Sequence, residues 1–272
     1  MLSMLSEQIV SNQLVLDKVS KSFQNYNGNC IEALDQVSMT VNEGEFVAIL
    51  GPSGCGKSTL LNIIAGFEKG YQGIVSFNGE AIKTPAPERG VVFQSPVLFE
   101  WLNVKDNIAF GLKEKKIGKQ EIETMVAQYI KLVELEGFEN YYPEELSGGM
   151  QQRAALARTL VMHPKLLLMD EPFAALDAQL RFTMQQLLLT IWKNLKQTII
   201  FVTHDVEEAI LVAEKVYIMG RRPGWILEEI DVARKKKDSP DFTGSYEFYQ
   251  LKNTIMEMLG LKAGGKSMEC KH

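Results

Sequence analysis

A chain of 272 residues with 46% hydrophobic and 23% charged content is ordinary for a globular protein and long enough to bury one large core or two small ones. Its net charge of −5 argues against nucleic acid as the main partner, and no apolar run approaches the ~18 residues of a membrane span. The start lacks the basic segment and apolar core of a secretory leader, and Cys30, Cys55 and Cys270 have neither metal-ligand nor disulfide spacing, so a reducing, cytoplasmic setting is expected.

In chain order, residues 1–12 read as polar and loose. Leu14 and Leu16, then Val37, Met39 and Val41, alternate with polar neighbours, which predicts two half-buried antiparallel strands with Phe23 and Tyr26 in the loop between them. Residues 45–50 form a buried strand leading into Gly51-Pro52-Ser53-Gly54-Cys55-Gly56-Lys57-Ser58-Thr59, and Leu60, Leu61, Ile63 and Ile64 give the apolar face of a helix that ends near Gly66. A strand over 74–77 is closed by the hairpin pair Asn78-Gly79, and residues 90–94 make a buried strand ending in the amide of Gln94. From about 95 to 160 helical spacing takes over, as in Ile122, Met125, Val126, Tyr129, Ile130 and Val133. Strand character returns at 166–170. An amphipathic helix carrying Leu180, Met184, Leu187, Leu188, Ile191 and Leu195 follows, then strands at 198–203 and 215–219 around a short helix. A last strand is expected at 225–232, a helix at 246–259 stopped by Gly260, and a polar tail at 262–272.

The nine residues Gly51 to Thr59 fit G-x-x-x-x-G-K-[ST] between a strand and a helix. Glycines let the backbone wrap a triphosphate, the helix start attracts anionic charge, Lys57 reaches the β/γ-phosphates and the Ser58 hydroxyl ligates Mg²⁺. Asp170 ends a buried strand, where an open α/β sheet places its ligands, so it is expected to hold Mg²⁺, with Glu171 accepting a proton from the attacking water. Ser147-Gly148-Gly149 opens another helix and offers a second anion site.

Leu146-Ser147-Gly148-Gly149, some twenty residues before a strand ending in Asp170-Glu171, resembles the signature of ABC-type ATPases. The resemblance covers residues of about 14 to 232 and implies further roles. Gln94 corresponds to the glutamine that senses Mg²⁺ and water, Asp177 in Ala175-Leu176-Asp177 to the loop that communicates across a dimer, and His204 to the switch histidine at the γ-phosphate. Phe23 lies where an aromatic stacks on adenine, with Tyr26 as the alternative. Met150 and Ala174 depart from the commonest residues of their motifs without touching hydrolysis.

The implied fold is α/β: a P-loop (RecA-like) core with a small antiparallel β subdomain and an inserted α-helical subdomain carrying the signature. The ATPase domain is expected over 13–234, with the insertion at about 95–160, and a C-terminal helix and tail over 235–272. The segments 88–94, 101–112, 171–177 and Arg222-Pro223-Gly224 resemble the ATPases of nitrate/sulfonate/taurine-type importers. The implied protein binds ATP and Mg²⁺ as a head-to-tail homodimer, Ser147, Gly148 and Gly149 of one subunit closing over the ATP of the other. It would sit on the cytoplasmic face of the membrane through a permease served by a solute-binding protein. An exporter ATPase or a non-transport ABC ATPase is the alternative. A GTPase is disfavoured because no Asn-Lys-x-Asp guanine reader is present.

Three further expectations concern single segments. Val97, Leu98, Phe99, Trp101 and Leu102 are apolar for a loop and form either a permease-docking patch or core. Arg234-Lys235-Lys236-Lys237 reads as a solvated basic turn, or as a contact for anionic lipid. Cys55, beside Lys57 and a helix start, is expected to have a lowered thiol pKa, the competing view being a small residue that fits a tight turn.

Overall fold

The computed structural model describes residues 12–24, 30–115, 117–237 and 242–261. The expectations for residues 1–11, Tyr26 and the tail from 262 lie outside them.

Two sheets organise the chain. β1 (Asn12–Gln24) and β2 (Cys30–Asn42) pair antiparallel, and with β4 (Gln72–Phe77) and β5 (Glu80–Ala81) they form a four-stranded sheet in the order β2-β1-β4-β5. The strands run further than the alternation suggested, so Phe23 is a strand residue opposite Ile31 rather than part of a loop. The second sheet has the order β10-β9-β3-β8-β7-β6, built from β3 (Phe46–Leu50), β6 (Arg89–Val92), β7 (Leu166–Asp170), β8 (Thr198–Thr203), β9 (Lys215–Met219) and β10 (Ile226–Asp231). Only β10 runs antiparallel. β6 is an edge strand and is only half-buried, which corrects the expectation of a buried strand reaching Gln94.

Side-chain alternation along β3 divides the core. Phe46, Ala48 and Leu50 enter a large cluster with the helices, while Val47 and Ile49 face a second cluster shared with the four-stranded sheet. Into the second cluster goes α1 (Lys57–Ala65), closed by Gly66 in a left-handed conformation. The large cluster takes α2 (Val104–Lys113), α3 (Lys119–Leu132), α4 (Gly148–Leu160), α5 (Ala178–Leu195) and α6 (Val206–Val212). Leu195 is exposed instead of joining the apolar face of α5, whereas Gln185, an uncharged polar residue, is buried on it.

Two α-helices are not marked by the sequence pattern. α2 was not resolved within the helical stretch, and α7 (Val232–Lys237) carries the basic run. Within the run Arg234 is exposed, as expected of a solvated segment, but Lys236 is partly buried: its Nζ donates to the carbonyls of Leu211 and Ala213, 2.8 Å each, closing the C-terminal end of α6. Burial lowers its pKa to about 8. The final helix α8 (Tyr246–Met258) packs Leu251 and Ile255 into the cluster that holds Ile210 and Ala213.

Candidate functional site

Parallel register brings the chemistry together. Leu50 is opposite Thr203, and Asp170 is opposite Val202, so the chain leaves β3, β7 and β8 at the same sheet edge. Two backbone bonds fasten these exits: Gly51 N–H donates to Thr203 O (3.4 Å) and Glu171 N–H to Val202 O (3.0 Å). Glycine-rich loop, Asp170, Glu171 and His204 are therefore neighbours although they span more than 150 residues of sequence. An opening of about 550 Å³ is lined by Ser53, Gly54, Gly56, Lys57, Ser58 and Thr59 of the loop, and by Phe23, Gln94, Asp170 and Glu171 from elsewhere, while His204 lines a separate small cavity on the far side of Glu171.

The loop is shaped by its glycines. Gly56 has φ +104°, and a Cβ there would come within 2.7 Å of Ala33 O, so no other residue fits without displacing β2. Lys57 is buried, its ammonium donating to Gly51 O (2.8 Å) and Pro52 O (3.1 Å) with Glu171 Oε1 at 3.6 Å. The amine is thus pulled into the loop it belongs to, at the place where an anionic ligand would compete for it. Ser58 Oγ donates to Asp170 Oδ1 at 3.1 Å. Burial raises the pKa of Asp170 despite that hydrogen bond, so this carboxylate is short of compensating positive charge. Hydroxyl, carboxylate and the nearby amide of Gln94 are hard oxygen donors, the set that suits Mg²⁺.

Glu171 occupies a left-handed backbone conformation (φ 44°), which non-glycine residues adopt at a cost of about 1–3 kcal/mol. The turn aims its carboxylate between the Lys57 ammonium and the His204 imidazole, whose Nδ1 lies 2.8 Å from Glu171 Oε2. The His204 segment is braced from beneath. Buried Glu208 accepts from Thr203 Oγ1 and from Gln185 Nε2 (3.1 Å), and Asp205 N–H donates to Thr203 Oγ1 (3.0 Å). Burial pushes the Glu208 carboxyl up. Nothing in the sequence singled out Glu208 or Gln185, because a single Glu two positions into a short helix carries no motif.

Ser147 and Asp177 are helix caps. Ser147 Oγ accepts from Met150 N–H (3.3 Å) at the start of α4, and Asp177 Oδ1 from Leu180 N–H (3.0 Å) at the start of α5. The two starts are packed together: a Cβ at Gly149 would lie 2.5 Å from Leu180 Cδ2. Ser147, Gly148, Gly149 and Asp177 do not line the opening of their own chain.

Cys55 departs from expectation. It is 1% exposed and packed in the second cluster, where desolvation raises its thiol pKa more strongly than the Lys57 charge lowers it. Its side chain faces the core, and only its backbone belongs to the phosphate loop. Arg222 is a lining residue whose role the sequence left open.

The segment after Gln94 divides. Leu98 is buried, but Trp101 is 72% exposed and Val97 52%. Phe99 lies between Trp101 (ring centroids 5.4 Å apart) and Phe110 (4.3 Å), with the Arg158 guanidinium 5.0 Å from its ring. An exposed aromatic surface thus begins seven residues from Gln94.

Comparison with known proteins agrees with this geometry. The ABC transporter family model matches residues 34–174. The chain is 44% identical to the taurine import ATP-binding protein TauB of Pelagibacter ubique, over 87% of the chain and 93% of that protein. It is 41% identical to the aliphatic sulfonates import ATP-binding protein SsuB of Bacillus cereus, over 89% and 94% respectively. Among solved structures, it is similar to a dimeric ATP-binding cassette in a post-hydrolysis state with ADP and Pi, at TM-score 0.71 and 32% identity, covering 80% of this chain and 98% of that one.

Proposed function

The chain belongs to the ABC transporter family, and on that premise we propose that it is the ATP-hydrolysing subunit of an importer for a small anionic solute of the taurine or sulfonate kind. The observation that carries the reading is the convergence of Lys57, Ser58, Asp170, Glu171 and Gln94 on one opening at the sheet edge.

In this reading the loop amides and Lys57 hold the β/γ-phosphates, and Lys57 exchanges the Gly51 and Pro52 carbonyls for phosphate oxygens. Ser58, Asp170 and Gln94 would hold Mg²⁺, which when bound neutralises charge on the bridging and terminal phosphate oxygens. Glu171 takes a proton from the attacking water, the water oxygen bonds to the γ-phosphorus, and the bond to the ADP oxygen breaks. His204, already hydrogen-bonded to Glu171, orients that carboxylate, and the family's switch role would bring it to the terminal phosphate from its place behind Glu171. Phe23, exposed on β1 and lining the opening, offers a ring face to the base.

One chain covers a triphosphate on one side only. Ser147, Gly148, Gly149 and Asp177 lie outside their own opening, which supports a head-to-tail homodimer in which they close over the partner's nucleotide. No helix among the described residues is long and apolar enough to cross a membrane. The exposed Val97, Trp101 and Phe110 offer an apolar surface for a separate permease, which would hold the subunit at the cytoplasmic face and receive solute from a binding protein. The experiment is uptake of labelled taurine and alkanesulfonates in a deletion strain, complemented with the parent or with Lys57→Ala. Uptake restored by the parent alone supports the assignment. Unaltered uptake in the deletion strain would remove it.

A further inference from the structure

The turn that joins β9 to β10 comes closer to the glycine-rich loop than its distance in sequence suggests. Gly224 N–H donates to Ala33 O and Gly224 O accepts from Asp35 N–H, both at 2.9 Å, so the turn is stitched to β2. Gly220 N–H donates to Trp225 O at 2.9 Å and closes its neck. On its other side it meets the phosphate loop so closely that a Cβ at Gly224 would lie 2.0 Å from Cys55 O. Only glycine can stand there, and the result is a fixed placement of Arg222 two residues earlier.

Arg222 Nε donates to Gly54 O at 2.7 Å. An arginine has five N–H donors, so this bond leaves the four on the two Nη atoms. Among the described residues they have no hydrogen-bonded or ion-paired partner, while the side chain lines the opening that holds Lys57, Asp170 and Glu171. The charges of that lining are uneven. Glu32, Asp170 and Glu171 are acidic, Lys57 and Arg222 basic, and Lys57 already faces Glu171 at 3.6 Å. Arg222 is thus the lining cation without a carboxylate partner, held by its Nε against the middle of a loop built to receive phosphate.

We propose that Arg222 is a phosphate-binding residue of this opening, its Nη groups donating to oxygens of the nucleotide's polyphosphate while Nε remains on Gly54. The proposal rests on the reading of the opening as the ATP site. The division of labour is physical: Lys57 is a compact charge buried within the loop, and Arg222 is a planar fork at its rim whose position is set before the ligand arrives. It also gives the Arg222-Pro223-Gly224 segment a chemical role, since the glycine fixes the turn and the arginine reads the ligand.

The test is ATP affinity of the full chain by calorimetry for the parent, Arg222→Gln, Arg222→Lys and Arg222→Ala, with Lys57→Ala as control. Arg222 is exposed and none of these changes touches the core, so folding is retained. Arg222→Gln and Arg222→Ala should bind ATP and ADP about tenfold more weakly, the scale of a partly exposed charge-assisted contact, and Arg222→Lys less so. Raising sodium chloride should weaken the glutamine variant less steeply than the parent, and added methylguanidinium should restore affinity to the alanine variant. A residue that only shaped the loop would move neither readout. Parent-like affinity in Arg222→Gln, or a loss with unchanged salt dependence and no rescue, overturns the proposal while the Lys57→Ala loss keeps the site assignment intact. A parent that binds no ATP overturns the site assignment itself.

Discussion

Replacing Glu171 with glutamine should move binding and turnover in opposite directions. The side chain keeps its shape and can still accept from His204 Nδ1, but it loses both its basicity and its charge. Without a base the attacking water must shed its proton unaided, and turnover should fall at least about a hundredfold, roughly 2.7 kcal/mol of barrier. The charge change acts through Lys57. Two unit charges 3.6 Å apart interact by about 5 kcal/mol at an effective dielectric near 20, an upper bound that desolvation and the Gly51 and Pro52 carbonyls reduce to about 1–2 kcal/mol net. Once Glu171 is neutral, Lys57 no longer has to leave a carboxylate to meet phosphate, and the triphosphate no longer meets that anion. ATP should bind roughly five- to thirtyfold more tightly. Calorimetry with Mg·ATP and steady-state phosphate release measure the two halves, and size-exclusion chromatography with ATP should show a stable dimer. Turnover near the parent's refutes the base assignment. Slow turnover with weakened binding refutes the electrostatic argument about Lys57.

Trp101→Ala should leave the melting temperature and the isolated ATPase activity close to the parent, since the ring is 72% exposed, and should reduce ATP-driven uptake; a large drop in melting temperature would instead place the ring in the fold. A maleimide should label exposed Cys30 without inactivating the ATPase, because Cys55 is buried with a raised thiol pKa; inactivation that Cys55→Ala abolishes would contradict that burial. Lys236 has a folded pKa near 8 against 10.5 when free, so the unfolded chain binds the extra proton between those values and stability contributed here rises with pH across that window. Urea denaturation should show the parent gaining on Lys236→Met, which does not titrate, by at most roughly 3 kcal/mol between pH 8 and 10; a gap that narrows with pH reverses the sign of the argument.

The parts of the site that sit in sequence beside a strand end were legible, because a parallel sheet puts all such ends on one edge. Gly51, Asp170 and Thr203 needed only the apolar runs before them. What depends on depth was not. The Cys55 neighbours in sequence, Lys57 and a helix start, argue for an acidic thiol, yet the side chain turns into the cluster that also holds Leu60 and Met219, and desolvation wins. In the basic run Arg234 is exposed as its charge suggests, but the fold places the Leu211 and Ala213 carbonyls within reach of Lys236, a depth that no letter of the run reveals. Leu195 shares the helical period of Ile191 and still ends up exposed, since α5 outruns the core it lies on. Arg222 was visible as a letter beside a proline and a glycine, but its tie to Gly54 crosses 168 residues and only the folded chain shows it.

The contact between Gly149 and Leu180 reaches beyond local fit. It leaves no slack between the start of α4 and the start of α5, so the ends capped by Ser147 and Asp177 keep a fixed separation. In the proposed dimer these are two of the surfaces one subunit shows the other. In that dimer they would move as one rigid edge, so a partner opening would have to match the spacing of both caps to engage both. A methyl group added at residue 149 would spread the caps, and its effect should therefore be felt at Asp177 as much as at Ser147.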